Sequence, residues 1–252
     1  MSSSSLPPVE AEAVTEAGRV RWHRVDGSAA LQAEAARWIL AAATRAIAAR
    51  GRFNLVLAGG NTPRGVYARL RDAGADWPRW HLWFGDERCL PADHPDRNSV
   101  MAHDAWLAHV PIPAQQIHVI PAEQGADAGA AGYARMLAAL PAGDFGQFDL
   151  VLLGLGEDGH TASLFPGQDW GVEAHSPDAL GVHDAPKPPP ERVSLSAARL
   201  GRTREALFLV DGESKRDAVS QWRAGDNIPA RAIRPPAGVD VLVEASLLKD
   251  ST

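Results

Sequence analysis

The sequence predicts an α/β fold: a doubly wound, mainly parallel, Rossmann-like sheet flanked by helices in a single domain. Three observations predict it. Strand-like runs alternate with helical patterns along the chain, which requires crossover connections. The strongest run, "FDLVLLGLG" over 148–156, is nearly all apolar rather than alternating, as in a parallel strand covered on both faces. The chain has 252 residues, 45% of them apolar, enough for one large α/β domain with a sizeable core.

The elements follow in order. Residues 1–18, "MSSSSLPPVEAEAVTEAG", read as a flexible tail ahead of a domain over 19–249. The tail lacks a basic start and an apolar h-region, so no signal peptide is expected there. A helix is expected over 28–51, with Leu31, Ala35, Trp38, Ile39, Ala42 and Ala46 at helical spacing, Ser28 or Asp26 as cap and Gly51 as stop. "FNLVLAGG" is a strand running into a glycine turn, and Pro63 opens a helix over 63–74. "HLWFGDER" (81–88) is a strand ending in charge, "SVMAHDAWLAHV" (99–110) a helix, and "QIHVI" (116–120) a short strand. A helix over 125–140 is closed by Pro141. After 148–156, residues 166–190 are rich in Pro and Gly and carry no clear element. "RVSLSAARL" (192–200) and "EALFLVDG" (205–212) read as strands, "SKRDAVSQWR" (214–223) as a helix and "VDVLVEASLL" (239–248) as a last strand.

Bulk properties exclude several function classes. A net charge of −6 argues against general nucleic-acid binding. No apolar stretch approaches the ~20 residues of a membrane helix, so a cytoplasmic protein with no membrane contact is expected. Cys89 is the single cysteine, which rules out an intramolecular disulfide and a thiolate zinc cluster and reads as an inert residue beside a loop.

In a doubly wound sheet, ligands bind beyond the carboxyl ends of the strands, and three such places are chemically loaded. Gly154 to Gly159 fits the G-x-G-x-x-G spacing of a dinucleotide loop. Pro166 and Gly167 follow too soon for the required long helix, however, and Glu157 and Asp158 would oppose a pyrophosphate. What the loop offers is Asp158 beside His160, a carboxylate and an imidazole suited to proton transfer near neutral pH. "AGGNTPRG" brings Gly59, Gly60, Asn61 and Thr62 to a helix N-terminus, a plausible phosphate cradle without a Walker lysine. "GDERCLPADHPDRNS" sends Arg88 out of a strand toward a ligand oxygen. Asp86, Glu87, His94 and Asp96 do not make a metal site, and none is expected. Lys187, Arg192 and Lys215 add basic groups that suit an anionic sugar.

Together "LAGGNTP", "WFGDER…DHPDRNS", "FDLVLLGLGEDGHTASLFPG", "APKPPPERVSLS" and "LVDGESKRDAV" resemble the 6-phosphogluconolactonase family, in family order across roughly residues 20–245. Its wider superfamily also contains glucosamine-6-phosphate deaminase. The resemblance implies hydrolysis of a phosphosugar lactone without metal or cofactor. It implies His160 as general base supported by Asp158 or Glu157, with Arg88 near the reacting end. It further implies that Gly60, Asn61, Thr62, Arg192 and Lys215 hold the 6-phosphate, helped by Lys187. Asn61 stands where the family often has Ser, and Arg97-Asn98-Ser99 departs from a usual Ser-Asn pair. The expected small-molecule enzyme is a monomer or homodimer. Two other readings stay open. One is an amino-sugar-phosphate isomerase-deaminase, although Ser163-Leu164-Phe165-Pro166 supplies no Glu after His160. The other is a non-catalytic sugar-phosphate sensor.

Overall fold

A computed structural model describes residues 19–141 and 147–248. The expected tail over 1–18 and Lys249 lie outside the described residues. Among the described residues there are ten strands: β1 (Val20–Val25), β2 (Phe53–Leu57), β3 (Trp80–Phe84), β4 (Asp86–Arg88), β5 (Ile117–His118), β6 (Phe148–Gly154), β7 (Ala179–Val182), β8 (Arg192–Leu195), β9 (Thr203–Val210) and β10 (Val239–Glu244). The α-helices are α1 (Gly27–Arg50), α2 (Asn61–Leu70), α3 (Asn98–Ala105), α4 (Ala126–Ala138), α5 (Ala197–Gly201) and α6 (Arg216–Ala224).

Seven strands form one parallel sheet in the order β1-β10-β9-β6-β2-β3-β5. Every residue of β2 is buried, as are Phe148 to Leu153 of β6, so the central strands are sandwiched by helices as their apolar runs require. The helix α1 packs on β1, β2, β6 and β10. From β2 the chain steps outward through β3 to β5. It then returns to the other side of β2 and steps outward through β6, β9 and β10. The reversal lies between β2 and β6, and the crevice opens beyond their carboxyl ends.

Several elements differ from their sequence reading. The strand expected over 81–88 is two strands in two sheets. At Gly85 the amide donates to Leu57 O at 2.9 Å and the carbonyl accepts from Leu195 N at 2.8 Å, so the chain crosses from one sheet to the other there. The charged β4 then pairs antiparallel with β8, and β8 with β7, in a small second sheet. The four-residue β7 lies inside 166–190. It is too short to show a period, and its place is set by β8 and by α4 packed against it. "RVSLSAARL" is a strand followed by a helix: Ser196 Oγ accepts the Arg199 amide at 3.2 Å and starts α5. The last strand stops at Glu244, and a 3-10 turn over Ala245–Leu248 buries Leu247 and Leu248.

The edge strand β1 carries no apolar run to announce it, and Arg21 and His23 both reach Asp240 of β10. The helix α1 stops at Gly51, left-handed at φ 76, as read. Asp26 holds the N-cap position as one of the two expected caps but makes no side-chain hydrogen bond there, and the Ser28 hydroxyl is spent on Asp211. The helix α2 begins two residues before Pro63, whose missing N–H costs nothing in a first turn.

Candidate active site

Loops after β2, β3 and β6 meet over the crevice in a cleft of about 630 Å³. Nine of the ten expected site residues line it: Gly59, Gly60, Asn61, Thr62, Arg88, His160, Lys187, Arg192 and Lys215. The tenth, Asp158, lies behind His160.

The loop after β6 is a closed turn. Gly156 N donates to His160 O at 2.7 Å, Gly159 N to Gly156 O at 3.1 Å, and Thr161 Oγ1 to Gly154 O at 2.8 Å. No helix follows Gly159, so the dinucleotide spacing serves another geometry. A Cβ at Gly156 would run into the His160 imidazole, so only glycine lets the ring lie against this turn. Ala162 sits at φ 49, a conformation costing a non-glycine residue of order 1–3 kcal/mol.

His160 Nδ1 lies 2.5 Å from Asp158 Oδ1. A carboxylate only accepts, so Nδ1 carries a proton, and in the neutral ring Nε2 is the nitrogen with the free lone pair. Burial would raise the Asp158 carboxyl, but the hydrogen bond and charge of His160 outweigh it and hold the group below its ordinary range. Glu157 instead faces Lys187 at 3.6 Å, so of the two carboxylates it is Asp158 that touches the imidazole. The ring of His160 rests on Phe165, centroids 4.7 Å apart.

Arg88 and Arg192 come from β4 and β8. Arg88 bonds Asp96 O, while its Nε is buried and without a partner among the described residues. Arg192 is 5% exposed and donates to the carbonyls of Lys187, Pro188 and Pro189 at 2.8–3.2 Å. Burial lowers its pKa, Asp86 opposes that, and the Arg88 charge adds to it. Asn98 ties the β2 loop to β4: its Nδ2 donates to Asp86 O at 3.0 Å, and a Cβ at Gly59 would strike its amide. Glu87 is fully buried and accepts the Asn98 and Ser99 amides at 2.7 and 2.9 Å, which makes it the anchor of α3.

The two carboxylates that line the cleft were not among the expected site residues. Asp86, 6% exposed, accepts from Ser163 Oγ at 2.6 Å and from Asn98 Nδ2 at 3.2 Å. Asp211, at the end of β9, accepts the hydroxyls of Thr62 and Ser28. The only signal for either was a carboxylate just past an apolar strand. Burial pushes the Cys89 thiol up to about 11, with Glu191 adding to it, which leaves the thiol unreactive near neutral pH. Among the described residues no three His, Cys, Asp or Glu side chains gather as metal ligands would, and no helix is long and apolar enough to cross a membrane.

Comparison with known proteins finds relatives over most of the chain. Residues 26–242 match the family model described as glucosamine-6-phosphate isomerases/6-phosphogluconolactonase. The chain is 41% identical over 205 residues to the 6-phosphogluconolactonase of Synechocystis sp., covering 76% of this chain and 82% of that protein. It is 40% identical over 202 residues to that of Mycobacterium leprae, covering 77% and 80%. The crystal structure of 6-phosphogluconolactonase from Thermotoga maritima superposes with a TM-score of 0.80 at 24% identity, covering 90% of this chain and 100% of that one. The Trypanosoma brucei 6-phosphogluconolactonase gives 0.80 at 27% identity, covering 91% and 98%.

Proposed function

The chain belongs to the glucosamine-6-phosphate isomerase/6-phosphogluconolactonase family, and from that premise we propose that it hydrolyses 6-phosphoglucono-1,5-lactone to 6-phosphogluconate, the lactone-opening step of the pentose phosphate pathway, with His160 as general base. The observation that carries the reading is one cleft lined both by His160, paired with Asp158 behind it, and by the Gly59–Thr62 turn. A base and an anion cradle in one cavity suit a reactive ester tethered by a distant phosphate.

His160 Nε2 takes a proton from water, and the incipient hydroxide attacks the lactone carbonyl carbon. Asp158 holds the ring's tautomer and stabilises the imidazolium. The carbonyl oxygen becomes an oxyanion, and the guanidinium of Arg88, which lines the cleft, supplies the donor. When the tetrahedral intermediate collapses, the ring C–O bond breaks and His160 returns the proton to the leaving oxygen. The backbone amides of Gly60 to Thr62 at the start of α2, with Lys215, hold the 6-phosphate. Lys187 and Arg192 complete the positive wall, and anchoring the tail makes the attack an oriented, effectively unimolecular step.

The enzyme works in the cytoplasm as a monomer or homodimer, without nucleic acid. Freshly generated 6-phosphogluconolactone, followed from about pH 5 to about pH 9 and corrected for spontaneous opening, tests the reading. Enzyme-dependent acid release that disappears in His160→Ala, with 6-phosphogluconate still bound, supports it. Turnover at the wild-type rate in that variant would sink the role given to His160.

A further inference from the structure

We infer that Asp211 makes the Thr62 hydroxyl a hydrogen-bond acceptor, so that this corner of the cleft recognises a hydroxyl group of the substrate and not an oxygen of its phosphate. Asp211 follows β9 directly. Its Oδ1 takes the Thr62 hydroxyl and its Oδ2 the Ser28 hydroxyl, the latter at 2.5 Å. One carboxylate thus joins the first turns of α1 and α2 to the end of a central strand.

A carboxylate only accepts, so both hydroxyl protons point at Asp211 and each hydroxyl oxygen is left with lone pairs alone. At Ser28 one of these is met by Gln32 Nε2 at 3.1 Å. At the Thr62 hydroxyl there is no second hydrogen bond among the described residues, and Ser28, Thr62 and Asp211 all line the cleft. A phosphate monoester near neutral pH carries roughly −1.5 to −2 charge and mainly accepts. Opposite Thr62 Oγ1 it would set lone pair against lone pair, with the Asp211 charge just behind. A sugar hydroxyl fits instead. It donates to Thr62, which donates to Asp211, and each bond in such a chain polarises the next. The phosphate is left to the α2 amides and Lys215. This deepens the proposed function and rests on it, since it takes the ligand to be a polyhydroxy lactone with one anionic end.

Titration calorimetry with inorganic phosphate and with 6-phosphogluconate tests the assignment on the wild type, Thr62→Val and Asp211→Asn. Thr62→Val keeps the shape and removes the acceptor. The expected result is 6-phosphogluconate binding weakened roughly 3- to 10-fold, the scale of one net hydrogen bond, with inorganic phosphate binding unchanged. Asp211→Asn removes the charge, and its amide can donate to Thr62 and release the threonine proton, so inorganic phosphate should bind more tightly. Among monodeoxy analogues of 6-phosphogluconate, one should bind wild type more weakly than the parent and bind Thr62→Val as well as the parent does. Equal weakening of both ligands in Thr62→Val would overturn the proposal, as would weaker phosphate binding in Asp211→Asn. Binding needs no turnover, so a wild-type chain that binds 6-phosphogluconate yet opens no lactone overturns the hydrolase reading alone.

Discussion

Arg88 and Arg192 sit directly opposite each other across the β4–β8 ladder. Like charges in such a pair destabilise a sheet, and here one member is almost wholly buried. The arrangement is tolerable because Arg192 spends its donors on three carbonyls and lies over the Phe165 ring at 5.5 Å, with the Asp86 charge nearby. The pair puts two positive charges into the cleft that His160 also lines, where the proposed mechanism calls for an oxyanion donor.

Arg88→Gln follows from that pairing. Removing one of two facing charges should leave thermal stability unchanged or slightly raised, while kcat/KM falls about 10²-fold through loss of an oxyanion donor. Melting curves and steady-state kinetics on one preparation decide it. A large drop in Tm with a proportionate drop in activity would make Arg88 a structural residue.

The Asp158–His160 bond predicts a non-additive pair. Asp158→Asn can offer an amide where Nδ1–H needs an acceptor, which favours the wrong tautomer, and kcat should fall about 10²- to 10⁴-fold with little change in KM. His160→Gln should cost at least as much. The double variant should be no worse than His160→Gln alone, because both act through one proton transfer. Fully multiplicative losses in the cycle would mean that Asp158 works independently of His160.

Much of this was legible because the parallel sheet is written in its apolar runs: β2 and β6 are buried over nearly their whole length, and both carry site loops at their ends. The close contacts were not legible. Nothing local separates Glu157 from Asp158; Lys187, thirty residues along the chain from Glu157, takes one, and the turn geometry gives His160 the other. Asp86 and Glu87 read alike as charge at a strand end, yet Glu87 anchors α3 and Asp86 takes Ser163. The second sheet was hidden because β4, β7 and β8 have three or four residues each and owe their positions to one another.

Gly156→Ala isolates positioning from folding. Gly156 does not use the left-handed region, so alanine suits its backbone. The added Cβ meets the His160 ring instead. The variant should melt close to the wild type and still bind 6-phosphogluconate, yet lose about 10²-fold in kcat, the scale for a catalytic group displaced by about 1 Å. Unchanged kcat would show that the ring can shift at no cost, and would remove the reason for glycine there.

His118 lies outside the site and sets an acid limit on stability. Its ring stacks on Trp83 with centroids 3.9 Å apart, and His81 stacks beyond it at 5.8 Å. Burial pushes its pKa down from 6.5 to about 4, and a charge on His81 pushes the same way. As pH falls below about 6.5, the unfolded chain takes up a proton that the folded chain refuses. Stability from the neutral ring is thus complete above that point, is lost as pH drops toward about 4, and levels off where both states are protonated. His81, lowered by burial and by Arg52, adds a loss of the same sign. His118→Phe keeps an aromatic ring against Trp83 and removes the proton. Denaturant unfolding at a series of pH values should show wild type losing stability through this window and the variant losing less. Parallel curves would mean that the folded protein protonates His118 as readily as the unfolded chain does.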